Sequence, residues 1–408
     1  MAMSILTCGI LLSTFTLSCA EAFAAVAGYT PVTNISEFLA IGSAIKAVDT
    51  AVSFSESKEA DWALATTEYE KEQGVALSLR KITTPPAGGD DRFKIFSAYY
   101  GSDDYMHSFV DAALKGTGNF NLNDKARQEL IMKGIVLQGV LMASMSHLHK
   151  AVNECSVGSA SALSTQFLDQ AWALYACSES KGPIKLAEKR APQFDTQTTP
   201  FSEAGQSKVN TQLLAHFKDL QSYAQEGRCD DMQSTAKQVM AQMMVPVIQG
   251  MLREAFEVDP KETETHRGAD GFIEVVEGWA FARAVLPAIN ACSSQAAEII
   301  TRNMDTIHLG ENGQHLPDGY EAVKAAVEST YLCLGISCSD VNAMVNPFKT
   351  GQLLWEPCKD EDLGQSDSTS GEPVDGAQTA DVDGSPLKAS LSAVIAICAM
   401  LVHVLKIL

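Results

Sequence analysis

The densest group of side chains that could do chemistry lies at residues 99–107, where the sequence reads YYGSDDYMH. Phenol, carboxylate and imidazole groups are the ligands that a hard cation such as Fe³⁺ selects, because hard cations prefer anionic oxygen donors. The same segment also fits a second role, in which Ser102, Asp103 or Asp104 caps a helix that runs to Leu114 while the tyrosines pack at its first turn. The segment's composition leaves both interpretations open.

Two further groups of polar side chains fall on predicted helices. The first comprises His147, His149, Glu154, Asp169 and Tyr175. The second comprises Asp270, Glu274 and Glu277, whose spacings of four and three place them on one helix face. Arg253 stands apart from both groups, between apolar residues of a helix, and this position predicts a partner carboxylate or a bound anion.

Signatures of hydrolytic enzymes are missing from the sequence. It contains no Gly-x-Ser-x-Gly, no His-Glu-x-x-His and no Gly-rich phosphate-binding loop. Neither His147 nor His149 has a glutamate three residues later, which a helical metallopeptidase of the His-x-x-Glu type would need beside a metal-bound water. We therefore predict a binding protein and not an enzyme.

Composition excludes further classes of protein. The 408 residues are 46% hydrophobic, which is typical of globular proteins and excludes disorder throughout the chain. Thirty Lys and Arg against fifty Asp and Glu give a formal net charge of −20. Such a surface repels phosphate backbones, so we expect no nucleic-acid partner.

The two ends of the chain predict export. An apolar run through residue 17 followed by small residues indicates a signal peptide over residues 1–20, with cleavage at 20–24. Residues 391–408 are nearly all apolar and follow an acidic linker over 359–390. This order predicts a GPI-attachment signal or a single transmembrane helix, with a buried terminal helix as a third alternative. Either anchor would hold residues 25–358 outside the cell, at the plasma membrane.

Cysteine usage agrees with export. Seven cysteines remain between the two ends of the chain. They are Cys155, Cys177, Cys229, Cys292, Cys333, Cys338 and Cys358. An oxidising compartment favours disulfides, so we predict three bridges and one free thiol.

Apolar residues recur at helical spacing along most of the ectodomain. The pattern predicts long core helices over 131–152 and 239–256. Further helices are predicted over 36–55, 92–114, 161–179, 271–291, 293–304 and 319–334. The expected fold class is therefore all-α.

A short motif occurs twice and indicates an internal duplication. The sequence AWAL contains Trp172, and GWAF contains Trp279, 107 residues later. Each motif follows a long apolar helix and a polar stretch. We therefore predict two related helical-bundle halves within one ectodomain, with a division near 195–205.

Six segments, taken in order along the chain, resemble the low-iron-inducible periplasmic proteins of algae, a family that includes the phytotransferrins. They are YYGSDDY (99–105), AWALY (171–175), LAEKR (186–190), PVIQGMLR (246–253), EGWAF (277–281) and AVKAAVESTYLCLGISC (322–338). The resemblance covers about residues 36–346, and the colinear set is more specific than any one segment.

This resemblance implies a cell-surface protein that captures ferric iron for high-affinity uptake, with carbonate as a synergistic anion. We predict Tyr100, Asp104 and Tyr105 as iron ligands, together with Asp169 and Glu277 from the two Trp motifs, and Arg253 as the anion partner. The implied partners are the plasma membrane, through the C-terminal anchor, and an uptake machinery that uses a reductase, a permease or endocytosis.

One residue departs from the family pattern, and it bears on the alternative function. The family tends to have Cys after the LAEKR segment, where this chain has Ala191, and the loss of a disulfide partner would account for the odd number of cysteines. The alternative is a structural or adhesive surface glycoprotein that keeps the helical scaffold and binds no metal.

Overall fold

Helices form nearly all of the regular structure. A computed structural model describes residues 24–54, 58–73, 77–84, 90–158, 161–177, 181–259, 261, 271–310, 312–347 and 351–363. Its α-helices are α1 (Ser36–Val52), α2 (Trp62–Glu70), α3 (Leu79–Ile82), α4 (Asp91–Tyr100), α5 (Tyr105–Lys115), α6 (Asp124–Lys133), α7 (Leu141–Ser156), α8 (Ser161–Ala176), α9 (Pro183–Arg190), α10 (Lys208–Glu226), α11 (Cys229–Val258), α12 (Gly271–Cys292), α13 (Ser294–Met304), α14 (Tyr320–Glu328), α15 (Tyr331–Leu334) and α16 (Cys338–Val341). The predicted all-α fold class is confirmed.

A short hairpin lies where the sequence suggested a division between two halves. Strands β1 (Gln197–Ser202) and β2 (Gly205–Ser207) are antiparallel. Helices from before and after the hairpin pack on each other, α7 against α11 and α8 against α10. By their contacts, the described residues form one unit. The predicted signal peptide and C-terminal anchor lie outside the described residues.

Helix α12 is central to the described fold. It packs against α11, α13, α6 and α4, and most of its apolar side chains are buried. Gly250 of α11 makes this close packing possible, because a methyl group there would lie 2.5 Å from the ring of Phe281 in α12. A larger residue at position 250 would force the two helices apart.

A second long element runs from α6 through α7. Between these helices, Gly134–Val140 form a π-helical segment, so the chain stays helical from Asp124 to Ser156. This stretch is long and apolar enough to cross a membrane, but 78% of its apolar window is buried inside the fold. Its apolar side chains therefore serve the protein core.

The predicted single helix over 92–114 is wrong, because the structure divides it. Helix α4 ends at Tyr100, and Gly101 follows with a left-handed φ of 66°. Glycine adopts this conformation without the steric cost that a Cβ atom would impose. Helix α5 then starts at Tyr105, and its N-cap residue is Asp104. The YYGSDDY segment is therefore a junction between two helices.

Three disulfides stabilise the described fold. They join Cys155 to Cys229, Cys292 to Cys333, and Cys338 to Cys358. Among the described cysteines, Cys177 is the free one, and it is buried. The prediction of three bridges and one free thiol is confirmed.

Candidate functional site

A cavity of about 380 Å³ opens beside the α4–α5 junction. Its walls come from this junction, from α5 and the short turn after it, from α12 and from the residue that follows α13. The lining residues are Tyr100, Ser102, Tyr105, Ser108, Phe109, Asn119, Phe120, Trp279, Arg283 and Asp305. We call it the phenol cavity.

The break at Gly101 brings two tyrosines together in the wall of the phenol cavity. The rings of Tyr100 and Tyr105 stack with their centres 5.2 Å apart. The Tyr100 hydroxyl donates a hydrogen bond to the backbone carbonyl of Arg283 at 2.5 Å. Among the described residues, the buried Tyr105 hydroxyl has no hydrogen-bond partner. A buried polar atom left in this state costs free energy, so a ligand that bonded to it would be favoured.

Arg283 brings a positive charge to the same wall. Its guanidinium carbon lies 3.9 Å from the ring centre of Tyr100. Its Nε donates to Oε1 of Gln138, at 3.2 Å, from the π-helical segment. Within the described part of the chain it forms no ion pair. The remaining N–H groups of this guanidinium can therefore serve a bound anion.

Asp305 contributes the carboxylate of the phenol cavity. Burial raises the pKa of this carboxyl group. The positive charges of Arg283 and His308 and a hydrogen bond from Trp279 oppose that rise. The pKa of Asp305 therefore stays above its ordinary value, although these neighbouring groups favour the charged form.

The two phenols are held in their neutral form. Burial is the largest cause that raises the pKa of Tyr100 and of Tyr105 far above the ordinary value, although Arg283 opposes the rise in both. A trivalent cation would reverse this, because bound metal ions strongly favour the deprotonated form of an oxygen ligand. Metal binding here would therefore release protons.

A second cavity, of about 310 Å³, lies on another face of α12. Trp279 and Arg283 face the phenol cavity, whereas Glu277 and Phe281 line this second one. A step of two residues turns an α-helix by about 200°, so the two pairs point to nearly opposite sides. The lining residues are Glu129, Met132, Lys133, Val136, Leu137, Lys181, Lys185, Leu186, Lys189, Arg190, Glu277 and Phe281. We call it the lysine cavity.

The predicted ligands do not surround one point. Tyr100 and Tyr105 share the phenol cavity, whereas Asp104 does not line it and accepts a hydrogen bond from Ser108 at 3.0 Å. Glu277 lies in the lysine cavity, 2.9 Å from the amine of Lys133.

Asp169 and Arg253 lie outside the phenol cavity. The buried Asp169 carboxylate accepts hydrogen bonds from the Tyr29 hydroxyl at 2.6 Å and from the Thr33 backbone and hydroxyl at 2.8 and 2.7 Å. It thereby ties the start of the described chain to α8. Arg253 pairs with Glu257 at 2.5 Å, which provides the partner carboxylate that the sequence predicted as one of two alternatives.

Two residues of the phenol cavity were missed in the sequence. Arg283 stands four residues after Trp279 of the GWAF motif. This spacing places both residues on one face of a helix, so the motif could have indicated Arg283. Asp305 follows a different helix, and no spacing connects it to the tyrosines.

Among the described residues, no group of three or more His, Cys, Asp and Glu side chains could hold a metal ion. A site here would depend on tyrosines as oxygen donors.

Comparison with known proteins gives one match. No curated protein and no solved structure matches the chain significantly. A profile of the low iron-inducible periplasmic protein (Fea1) family matches residues 4–355. The match spans most of the chain and all of the elements that form the two cavities. The chain therefore belongs to the low iron-inducible periplasmic protein family.

Proposed function

We propose that this protein binds ferric iron in the phenol cavity and supplies it for high-affinity uptake outside the plasma membrane. The observation that carries the proposal is the unpartnered hydroxyl of Tyr105 in one cavity with Tyr100, Asp305 and Arg283. The family name supports a role under iron shortage in the periplasm. The role is binding and transfer, without catalysis.

The donors of the cavity suit Fe³⁺ more than a softer or divalent ion. Phenolate and carboxylate oxygens are hard anionic ligands, and each one offsets part of the charge of a trivalent cation. Among the described residues, the Tyr105 hydroxyl has no hydrogen bond to break before it binds, and the Asp305 carboxylate accepts a hydrogen bond from Trp279 but retains further lone pairs for a metal. Tyr100 must first release the carbonyl of Arg283. We therefore infer that Tyr105 and Asp305 are the first ligands and that Tyr100 joins them.

Carbonate is the proposed synergistic anion, and Arg283 is its proposed partner. A guanidinium presents paired N–H donors that match the spacing of two oxygens in a planar oxyanion. Arg283 contacts the ring of Tyr100, so an anion held by it would lie next to the metal. This assignment replaces Arg253, whose guanidinium is paired with Glu257.

Titration of Fe³⁺ into the metal-free protein, with and without bicarbonate, tests the proposal. We expect a saturable tyrosinate-to-iron charge-transfer band that bicarbonate strengthens. The Tyr105→Phe variant should lose most of the band. Tyr175→Phe is the matched control, because Tyr175 is also buried but bonds to Asn210 away from the cavity. Its band should equal that of the wild type.

The alternative function predicts a different result from the same titration. A structural or adhesive glycoprotein would show no band and no stoichiometric iron. The family name and the open donors of the phenol cavity favour the iron-binding function. If the protein binds no Fe³⁺ either with or without bicarbonate, the result would support the alternative function.

Delivery of the iron requires a membrane and a partner. We propose that the C-terminal apolar segment over 391–408 anchors the protein, either as a GPI signal or as a transmembrane helix. The iron would then pass to a reductase and permease, or enter the cell with the protein by endocytosis.

A further inference from the structure

We propose that the lysine cavity binds a small organic anion with two or more carboxylate groups. The chain has a formal net charge of −20, yet five of the twelve residues that line this cavity are cationic. These are Lys133, Lys181, Lys185, Lys189 and Arg190. The inference does not depend on the binding of iron.

The charges of this wall are only partly neutralised. Lys133 pairs with Glu129 at 2.8 Å and with Glu277 at 2.9 Å. Lys181 pairs with Asp49 at 2.7 Å. Within the described residues, Lys185 and Lys189 have no ion-pair partner. Two amines at the mouth of the cavity are thus available to a ligand.

Arg190 supplies an unsatisfied donor deeper in the same wall. Its side chain is 1% exposed and pairs with Glu254 at 3.1 Å. It also donates to Gln193 at 2.7 Å. Its Nε has no hydrogen-bond partner among the described residues. A carboxylate oxygen near this atom would satisfy a buried N–H group that otherwise costs free energy.

The charges around Lys189 also favour the binding of an anion. Partial burial and the positive charge of Arg190 lower the pKa of Lys189. The pKa of Lys133 is raised, because the negative charges of Glu277 and Glu129 more than offset the opposing effect of burial. The charge of Arg190 thus repels that of Lys189, and an anion bound between them would relieve this repulsion.

The rest of the wall explains why the ligand is organic. Met132, Val136, Leu137, Leu186 and Phe281 line the cavity beside the cations. This surface suits a carbon skeleton, because burial of apolar area adds to the binding energy that the charges provide. A bare inorganic oxyanion would leave the apolar wall in contact with water.

Isothermal titration calorimetry on the metal-free protein, at low salt and with citrate and inorganic phosphate as probes, tests the inference. We expect citrate to bind with one site and to bind more tightly than phosphate. Lys189→Gln and Lys185→Gln should each weaken citrate binding about tenfold, because each removes one charge-assisted contact. Added salt should weaken it further.

The matched control is Lys237→Gln. It removes the same charge from an exposed lysine of α11 that has no ion-pair partner among the described residues and lies outside the cavity. It should leave citrate binding unchanged, as should Tyr105→Phe, which alters the phenol cavity alone. The inference is overturned if citrate does not bind, if phosphate binds as tightly, or if Lys237→Gln weakens binding as much as Lys189→Gln.

Discussion

The phenol cavity and the lysine cavity share α12 as a wall but use their polar groups differently. In the lysine cavity, Lys133 bridges two glutamates and Arg190 pairs with a third, so these two inner cations are neutralised within the fold. In the phenol cavity, the Tyr105 hydroxyl has no partner and Arg283 has no ion pair among the described residues.

This difference distinguishes polar groups that stabilise the fold from polar groups that can bind a ligand. A buried ion pair whose partners satisfy each other is costly to break, because removal of one member leaves an uncompensated charge. A polar group without a partner already costs free energy in the ligand-free protein, and a ligand recovers that cost. Substitution of the paired inner cations of the lysine cavity should therefore affect mainly folding, and substitution in the phenol cavity should affect mainly iron binding.

The largest expected effect is on stability, from Lys133→Met. Loss of the amine leaves Glu129 and Glu277 without their common partner, and we expect the free energy of unfolding to fall by about 3 kcal/mol. Urea unfolding followed by circular dichroism measures it. Lys115→Met removes an exposed lysine paired with Asp111 and should cost less than about 1 kcal/mol. Equal stability of the two variants would contradict the comparison.

Arg283→Gln should have the opposite profile, with a large loss of iron affinity and a smaller loss of stability. We expect about 100-fold weaker iron binding in bicarbonate, because the variant loses a charged partner of the anion. The free energy of unfolding should fall by about 1 to 2 kcal/mol, since Arg283 loses one side-chain hydrogen bond and its contact with the ring of Tyr100. Iron titration and urea unfolding measure the two quantities.

Arg302→Gln is the control for the Arg283 variant. Arg302 lies on the neighbouring α13 and pairs with Asp318 in an exposed position. Its substitution removes the same charge but should leave iron binding at the wild-type value. A similar loss of affinity in both variants would mean that net charge, and not the phenol cavity, controls binding.

The pH dependence of iron binding gives a smaller effect. The phenols of Tyr100 and Tyr105 have raised pKa values and are protonated at neutral pH, so each must lose a proton when it binds Fe³⁺. Affinity should therefore fall as the pH falls, by about tenfold per pH unit for each coordinated phenol. Titrations between about pH 5.5 and 7.5 measure the slope. Tyr105→Phe should reduce the slope by one proton, and an unchanged slope would exclude Tyr105 as a ligand.

The smallest expected effect comes from Tyr99→Phe. Tyr99 contacts the ring of Tyr100, 5.0 Å away between centres, but does not line the phenol cavity. Its hydroxyl lies 3.4 Å from that of Thr301. Iron affinity should change by less than about twofold, because the lost hydrogen bond is long and lies outside the site. A large loss of the charge-transfer band in this variant would move the site toward α13.

Periodicity predicted the fold class because helix-forming apolar spacing is a local property of the chain. The prediction failed at residues 92–114, where apolar side chains continue in helical phase on both sides of Gly101. A glycine within such a pattern can remain helical or adopt a left-handed conformation, and the spacing does not distinguish the two. Helix α4 packs against α12 and α7, whereas α5 packs against α6 and the π-helical segment, and these long-range contacts cannot be read from spacing.

The candidate site was predictable only in part, for a related reason. Donor type, together with the family resemblance, led to the prediction of Tyr100 and Tyr105, which are close together in the sequence. Asp169 was chosen because it precedes Trp172 by three residues, but its oxygens are taken by Tyr29, 140 residues earlier in the chain. Asp305 and Arg283 likewise meet the tyrosines only through tertiary packing.

The disulfide between Cys292 and Cys333 has a practical consequence for how the protein can be produced. It fixes the last residue of α12, the helix that forms a wall of both cavities, to α15 across 41 residues. Closing a loop of this length stabilises a folded chain by about 4 kcal/mol in the chain-entropy description. Protein made in a reducing cytosol would lack this bond, so binding measurements require secretion or oxidative refolding.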